Sequence, residues 1–160
     1  MRTDSAARLI HASPDAVFRA FVDPVALIAW LPPKGMSGRI LEFEPQPGGR
    51  YRIELALEDA DGGVPGKTTE KTDVASGRFV ALEPGRRIVQ TVEFDTADPA
   101  FAGTMVMRWS LDPAPAGTKV CVRAENVPAG ISADDHRAGL ASSLENLARF
   151  VERSRRGAPP

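Results

Sequence analysis

At Gly38 the spacing of apolar residues changes from helical to alternating, and that switch constrains the chain more than any other feature of it. Before it, Val17, Phe18 and Phe21 fall on one helical face. After it, Tyr51, Ile53, Leu55 and Leu57 alternate with Arg50, Arg52, Glu54 and Glu58. Further on, Met105, Met107, Trp109 and Leu111 alternate with Thr104, Val106, Arg108 and Ser110, and Val120, Val122 and Ala124 with Cys121, Arg123 and Glu125. A sustained period of two, broken by Pro47-Gly48-Gly49, Glu83-Pro84-Gly85 and the turn from Asp112 to Gly117, predicts antiparallel strands buried on one face. The helical period returns only at 132–153. There Ser132 and Asp135 have capping-box spacing, and Leu140, Leu144, Leu147 and Val151 form a stripe that His136 extends by one turn.

The remaining elements follow from punctuation. AARLIHA, residues 6–12, reads as a first strand. Ser13 as N-cap, Pro14 at the first helical position and Asp15 in the first turn start a helix that Asp23-Pro24 interrupts. PVALIAW, residues 24–30, reads as a second short helix ended by Pro32-Pro33. Strands are predicted at 39–43, 50–57, 73–82, 86–94, 104–111 and 118–125, with a long loop at 58–72. Ala138, Gly139, Ala141 and Ala148 beside the last stripe predict close approach of other elements or room for a ligand. One domain over 1–153 and a flexible tail over 154–160 complete the reading.

Composition narrows the function classes. The chain has 160 residues, 42% of them hydrophobic, and a formal net charge of -1. That describes one globular domain with its own core and gives no electrostatic footprint for nucleic acid. Arg149, Arg153, Arg155 and Arg156 read as a solvated C-terminal cluster. Cys121 is the single cysteine, which excludes an internal disulfide and any multi-thiolate zinc site, and its polar parity argues against a nucleophile. With only His11 and His136 as histidines, no metal is expected, nor any cofactor. His11 reads as an end-of-strand residue. Asp59-Ala60-Asp61-Gly62-Gly63 starts like a calcium loop but has Thr68 where the bidentate glutamate belongs. Phosphate-loop, nucleophile-elbow and zinc-protease motifs do not occur. Neither a membrane-length apolar run nor a signal-peptide layout is present, so the expectation is a cytoplasmic protein without membrane insertion.

Five segments then carry a resemblance: SPDAVFRAFVDPVALIAWLPP, GRILEFEPQPGGRYRI, SGRFVALEPGRRIVQTVEF, the GT-x-V-x-V of the last strand, and DHRAGLASSLENLARFVE. In this order and spacing the chain resembles the activator of Hsp90 ATPase homologue branch of the polyketide-cyclase and START-like superfamily, over nearly its whole length. The resemblance implies an α+β helix-grip fold. Its parts are a curved antiparallel sheet of about seven strands, two short helices after the first strand, and a long C-terminal helix across the sheet. It also implies a cavity between sheet and long helix that takes an apolar molecule. The cochaperone's separate Hsp90-binding domain has no room in these residues, so an Hsp90 interaction is not expected.

Sheet parity names the cavity wall: Phe43, Tyr51, Ile53, Leu55, Phe79, Ile88, Val92, Met105, Met107, Trp109, Val120 and Val122, with Leu140, Leu144 and Leu147 from the long helix. By resemblance, Trp30 and Met36 sit near the mouth, where an exposed Trp30 would also suit a partner surface or a homodimer contact. For each apolar position taken singly, ordinary core packing is the preferred reading, because an apolar stripe needs no ligand to explain it. Gln90, on the apolar face between Ile88 and Val92, could bond a ligand or a neighbouring side chain. Tyr51 offers a phenol to either purpose. His136 is the candidate for proton transfer, with a structural rim role as the preferred reading. Three functions stay open: a non-catalytic carrier or sensor of a small hydrophobic molecule, a cyclase- or aldolase-like enzyme on a polyketide-like substrate, and a protein-interaction module associated with chaperones.

Overall fold

The computed structural model describes residues 2–33, 35–57 and 72–157, the side chains of 154–157 excepted. The elements run β1 (Thr3–Ile10), α1 (Pro14–Val22), α2 (Pro24–Trp30), β2 (Met36–Phe43), β3 (Arg50–Leu57), β4 (Thr72–Glu83), β5 (Arg87–Phe94), β6 (Met105–Ala114), β7 (Gly117–Glu125) and α3 (Ala133–Gly157). A 3₁₀ turn at Pro99–Phe101, which the sequence did not suggest, sits between β5 and β6. The seven described strands form one antiparallel sheet in the order β1-β7-β6-β5-β4-β3-β2. Sequence neighbours pair everywhere except at β1, which crosses over to β7. This is the helix-grip arrangement.

Local chemistry starts the helices where expected. The Ser13 hydroxyl accepts from the Ala16 amide at 3.2 Å, and the Asp23 carboxylate accepts from Val25 at 3.0 Å while the Asp23 amide still donates to the Arg19 carbonyl. Asp23 thus ends α1 and begins α2. Ser132 caps α3 by accepting from Asp135 at 3.1 Å.

Tertiary pairing moves some boundaries. The first strand is Thr3–Ile10 rather than 6–12, because Thr3 through Ile10 find partners from Glu125 to Thr118 on β7. His11 and Ala12 instead leave the sheet: the His11 amide donates to Glu152 at 2.9 Å, and the Ala12 carbonyl accepts from the Thr118 hydroxyl at 2.7 Å. The last helix continues past 153 to Gly157, through residues of good helix propensity, until a glycine and the prolines beyond it signal a stop. Apart from Thr72, which opens β4, the 58–72 loop lies outside the described residues, as does the tail beyond Gly157.

The core lies between the concave sheet face and the helices, with α3 against β1 and against α1 and α2. Leu140, Leu144, Leu147, Ala148 and Val151 of α3 are buried there. The reading of small residues as close-approach sites on α3 needs correction for three of them. Ala138 and Ala141 are exposed, and a Cβ on Gly139 would meet nothing within 4 Å. Only Ala148 packs tightly. Helix α2 does approach the sheet closely, at Gly38, where an added Cβ would stand 3.0 Å from the Pro32 ring.

Candidate functional site

Where sheet and helices meet under α2, the described residues leave a void of about 30 Å³. Its roof is Phe21 of α1 with Leu27, Trp30 and Leu31 at α2; its floor is Phe43, Tyr51, Ile53, Phe79, Gln90 and Trp109 of the sheet. Strand parity delivers the floor, since β2, β3, β4, β5 and β6 turn these residues to the concave side. The expected wall of Leu140, Leu144 and Leu147 is corrected: these lie in the core, and the void is roofed by the two short helices instead. The reason is packing, because α3 lies along β1 while α2 occupies the space above β2.

Aromatic rings take up most of the space. Phe21 stands edge-on to Trp30 at 4.9 Å and to Trp109 at 5.0 Å, and Trp30 edge-on to Trp109 at 5.9 Å. Phe79 packs against Phe43 at 5.8 Å and Tyr51 at 5.4 Å. Such pairs add about 0.5–1.5 kcal/mol each beyond area burial. Trp30 is fully buried, with its Nε1 donating to the Ala20 carbonyl at 2.9 Å. It therefore stands in the roof and not at an exposed mouth, and it offers no surface to a partner or a second copy. The roof is also tied down. Ser143 and Asn146 of α3 donate to the carbonyls of Leu31 and Pro32 at 3.3 and 3.1 Å.

Three polar side chains belong to this otherwise apolar wall. The Tyr51 hydroxyl donates to the Thr91 carbonyl and receives a hydrogen bond from Gln90. This reach across β4 is possible because Tyr51 pairs with Gly77, where a Cβ would come within 1.8 Å of the Thr91 carbonyl oxygen and 2.9 Å of the phenol oxygen. No ladder pair forms between Ser76–Glu93 and Phe79–Gln90, so the Tyr51 hydroxyl supplies a bond to Thr91 that the strands do not. Burial pushes the phenol well above its ordinary titration range; the Gln90 bond opposes that and the Glu93 charge adds to it. Tyr51 therefore remains a donor at physiological pH. Trp109 is 3% exposed, and its Nε1 has no hydrogen-bond partner among the described residues.

The other candidates lie elsewhere. Val92, Met105, Met107 and Val122, with Ile88 and Val120, are buried core residues outside this void, Leu55 is partly buried against the core, and Met36 is half-buried at the start of β2. Phe21, Leu27 and Leu31 were not anticipated. His136 stands at the opposite edge of the sheet: its Nδ1 is 2.8 Å from the buried Asp4 carboxylate, which also accepts from Arg2 at 3.1 Å. Burial alone would raise the Asp4 pKa, but the His136 and Arg2 bonds outweigh it and hold it below the ordinary value. His136 thus fastens the first turn of α3 to β1. Among the described residues no group of three or more His, Cys, Asp or Glu could hold a metal ion, and no helix is long and apolar enough to cross a membrane.

A second concavity is open to the surface. A groove of about 920 Å³ runs between the start of α1, the β6–β7 turn and the later part of α3, walled mainly by alanine, proline and glycine, including Ala12, Pro14, Pro113, Ala116 and Gly117, with Phe150 at its edge.

Comparison with known proteins places this geometry. Residues 11–152 match the family described as activator of Hsp90 ATPase homolog 1-like protein. The crystal structure of protein CV1439 from Chromobacterium violaceum is 34% identical, over 94% of this chain and 96% of that one, with a TM-score of 0.83. The solution structure of an AHSA1-like protein from Aeromonas hydrophila shares the fold at 18% identity, over 99% and 98% of the two chains, with a TM-score of 0.72. Protein MLL2253 from Mesorhizobium loti does so at 24% identity, over 96% and 98%, with a TM-score of 0.71. No curated protein matches.

Proposed function

Because the chain belongs to the activator of Hsp90 ATPase homologue 1-like family, whose fold commonly takes hydrophobic ligands, we propose that it binds a small hydrophobic molecule beneath α2 as a carrier or sensor, without catalysis. The observation that carries this reading is the aromatic void with polar groups set into its wall. Structural cores rarely contain polar groups they do not need, whereas ligand sites combine apolar walls with a few oriented polar groups. The void is far below the roughly 300 Å³ of a ligand pocket, so binding displaces the α2 roof, and the bound state differs from the closed one. A conformational difference of that kind suits a sensor.

The absence of proton transfer rests on the wall's chemistry. An enzyme of the cyclase or aldolase sort would use His136, Tyr51 or Gln90 to polarise a carbonyl, but His136 lies outside the void and bonds Asp4, the Tyr51 hydroxyl donates to the Thr91 carbonyl, and Gln90 bonds Tyr51. Native mass spectrometry of protein purified from its own host tests the proposal. The expected result is extra mass that denaturation releases as an apolar molecule. A bare chain mass that persists after incubation with host lipid and metabolite extracts would overturn it.

A further inference from the structure

Two tryptophans, the only two in the chain, share one cluster and one degree of burial, yet their indole N–H groups are treated differently. That of Trp30 donates to the Ala20 carbonyl at 2.9 Å. That of Trp109 has no partner among the described residues. A buried donor left unpaired costs about 1–3 kcal/mol, and folded proteins satisfy most such groups. The direct neighbours of Trp109 in the sheet carry no oxygen acceptor, since it stands opposite Ile88 on β5 and Val122 on β7, with Met107 and Leu111 two positions away on its own strand; the amide of Gln90, diagonal to it on β5, is turned to Tyr51 and makes no bond to the indole. A phenylalanine or leucine would pack in those surroundings without the cost. The indole also lines the void, whose volume of about 30 Å³ is the space of a single oxygen-sized occupant. The two other polar groups of that wall already bond one another, Gln90 to Tyr51 and Tyr51 on to Thr91.

We propose that Trp109 Nε1 is the donor that selects the ligand: the molecule bound beneath α2 carries an acceptor oxygen, a ketone, aldehyde or ester carbonyl on an apolar body, and that oxygen accepts from the indole. This rests on the ligand-binding reading above and adds the chemical class. Apolar walls grip many bodies of similar size, because a methylene more or less changes little. A buried donor without a partner instead discriminates against a ligand that leaves it unpaired. Trp30, whose donor is spent on the backbone, contributes shape alone.

A matched pair of probes tests the inference: 2-acetylnaphthalene and 2-isopropylnaphthalene, similar in size and differing in the carbonyl. Each is titrated into the isotope-labelled wild-type protein, Trp109→Phe and Trp30→Phe, following the indole N–H signals by NMR. A form with benzothienylalanine at position 109 keeps the bicyclic shape without the N–H and replaces Trp109→Phe should that variant fold poorly; its binding is followed through backbone amide signals. In the wild type the ketone should bind about tenfold more tightly than the hydrocarbon, as one hydrogen bond predicts, and should move the Trp109 indole proton downfield. Loss of the N–H at position 109 should bring the ratio near one, while Trp30→Phe leaves it unchanged. A ratio that survives removal of the Trp109 N–H, or a wild-type ratio near one, overturns this assignment and leaves the binding reading standing. Failure of both probes to bind any form overturns both.

Discussion

The molecule has two concave regions, and they differ in opposite directions. The void under α2 is small and walled by Trp30, Trp109, Phe21, Phe43, Phe79 and Tyr51; the groove beside α1 is some thirty times larger, about 920 against 30 Å³, and walled mostly by alanine, proline and glycine. Volume here measures side-chain size, since short side chains leave open the space that indoles and phenyl rings would fill. Recognition needs apolar surface that excludes water together with polar groups held in place, and both occur at the void. The groove is a gap between elements joined by short turns, whereas the void is nearly closed by its own walls.

The comparison can be broken most forcefully at the floor. Trp109→Ala removes the indole that packs edge-on against both Phe21 and Trp30 of the roof and should cost about 3–5 kcal/mol in urea unfolding. A loss under about 1 kcal/mol would mean that the roof simply collapses onto the sheet and that the walls are not rigid. Gly77→Ala comes next. Its Cβ meets the Thr91 carbonyl oxygen at 1.8 Å, so β4 and β5 must part and Tyr51 must lose its acceptor, for a loss of about 3 kcal/mol. Unchanged stability there would show that the Tyr51 link does not hold the floor.

The cluster at the far edge should show a smaller effect with a distinctive pH dependence. Asp4→Asn weakens the bonds to His136 and Arg2 and should cost about 1–2 kcal/mol at neutral pH. The Asp4 pKa is depressed in the folded state, so its contribution is fully present above the unfolded value of about 3.9 and is lost as pH falls through the lower folded one. The stability gap between wild type and Asp4→Asn should therefore close in the acid range below about pH 4. A gap constant down to pH 2 would remove Asp4 from the acid response. The smallest effect belongs to the groove. Ala116→Leu adds bulk at an exposed position and should stay within about 0.5 kcal/mol of wild type, with ligand binding beneath α2 unaltered. Lost ligand binding in that variant would transfer the function from the void to the groove.

Much of the floor could be read before any coordinates, because strand parity is a rigid rule: Phe43, Tyr51, Ile53, Phe79, Gln90 and Trp109 share the concave side whatever the helices do. The same rule gathered Met105, Val92 and Val122, which share that side yet lie outside the void. Parity assigns a face and says nothing of position along it. The roof was harder to read. Phe21, Leu27 and Leu31 show only as apolar residues on short helices, and helical periodicity does not say which strands a helix will cover.

His136 makes the same point from the other side. Its place on the α3 stripe was evident, but the Asp4 that binds it lies 132 residues away in the chain. Sequence alone determined the order and type of the elements, the helix starts at Ser13, Asp23 and Ser132, and the apolar face of the sheet, because capping, proline geometry and side-chain alternation act within a few residues. Tertiary structure alone decided that α1 and α2, not α3, roof the void, that aromatic rings nearly fill it, and that one of two buried indoles finds no acceptor among the described residues. Those outcomes depend on packing between distant segments, where volumes and hydrogen-bond partners are settled only once the chain has closed on itself.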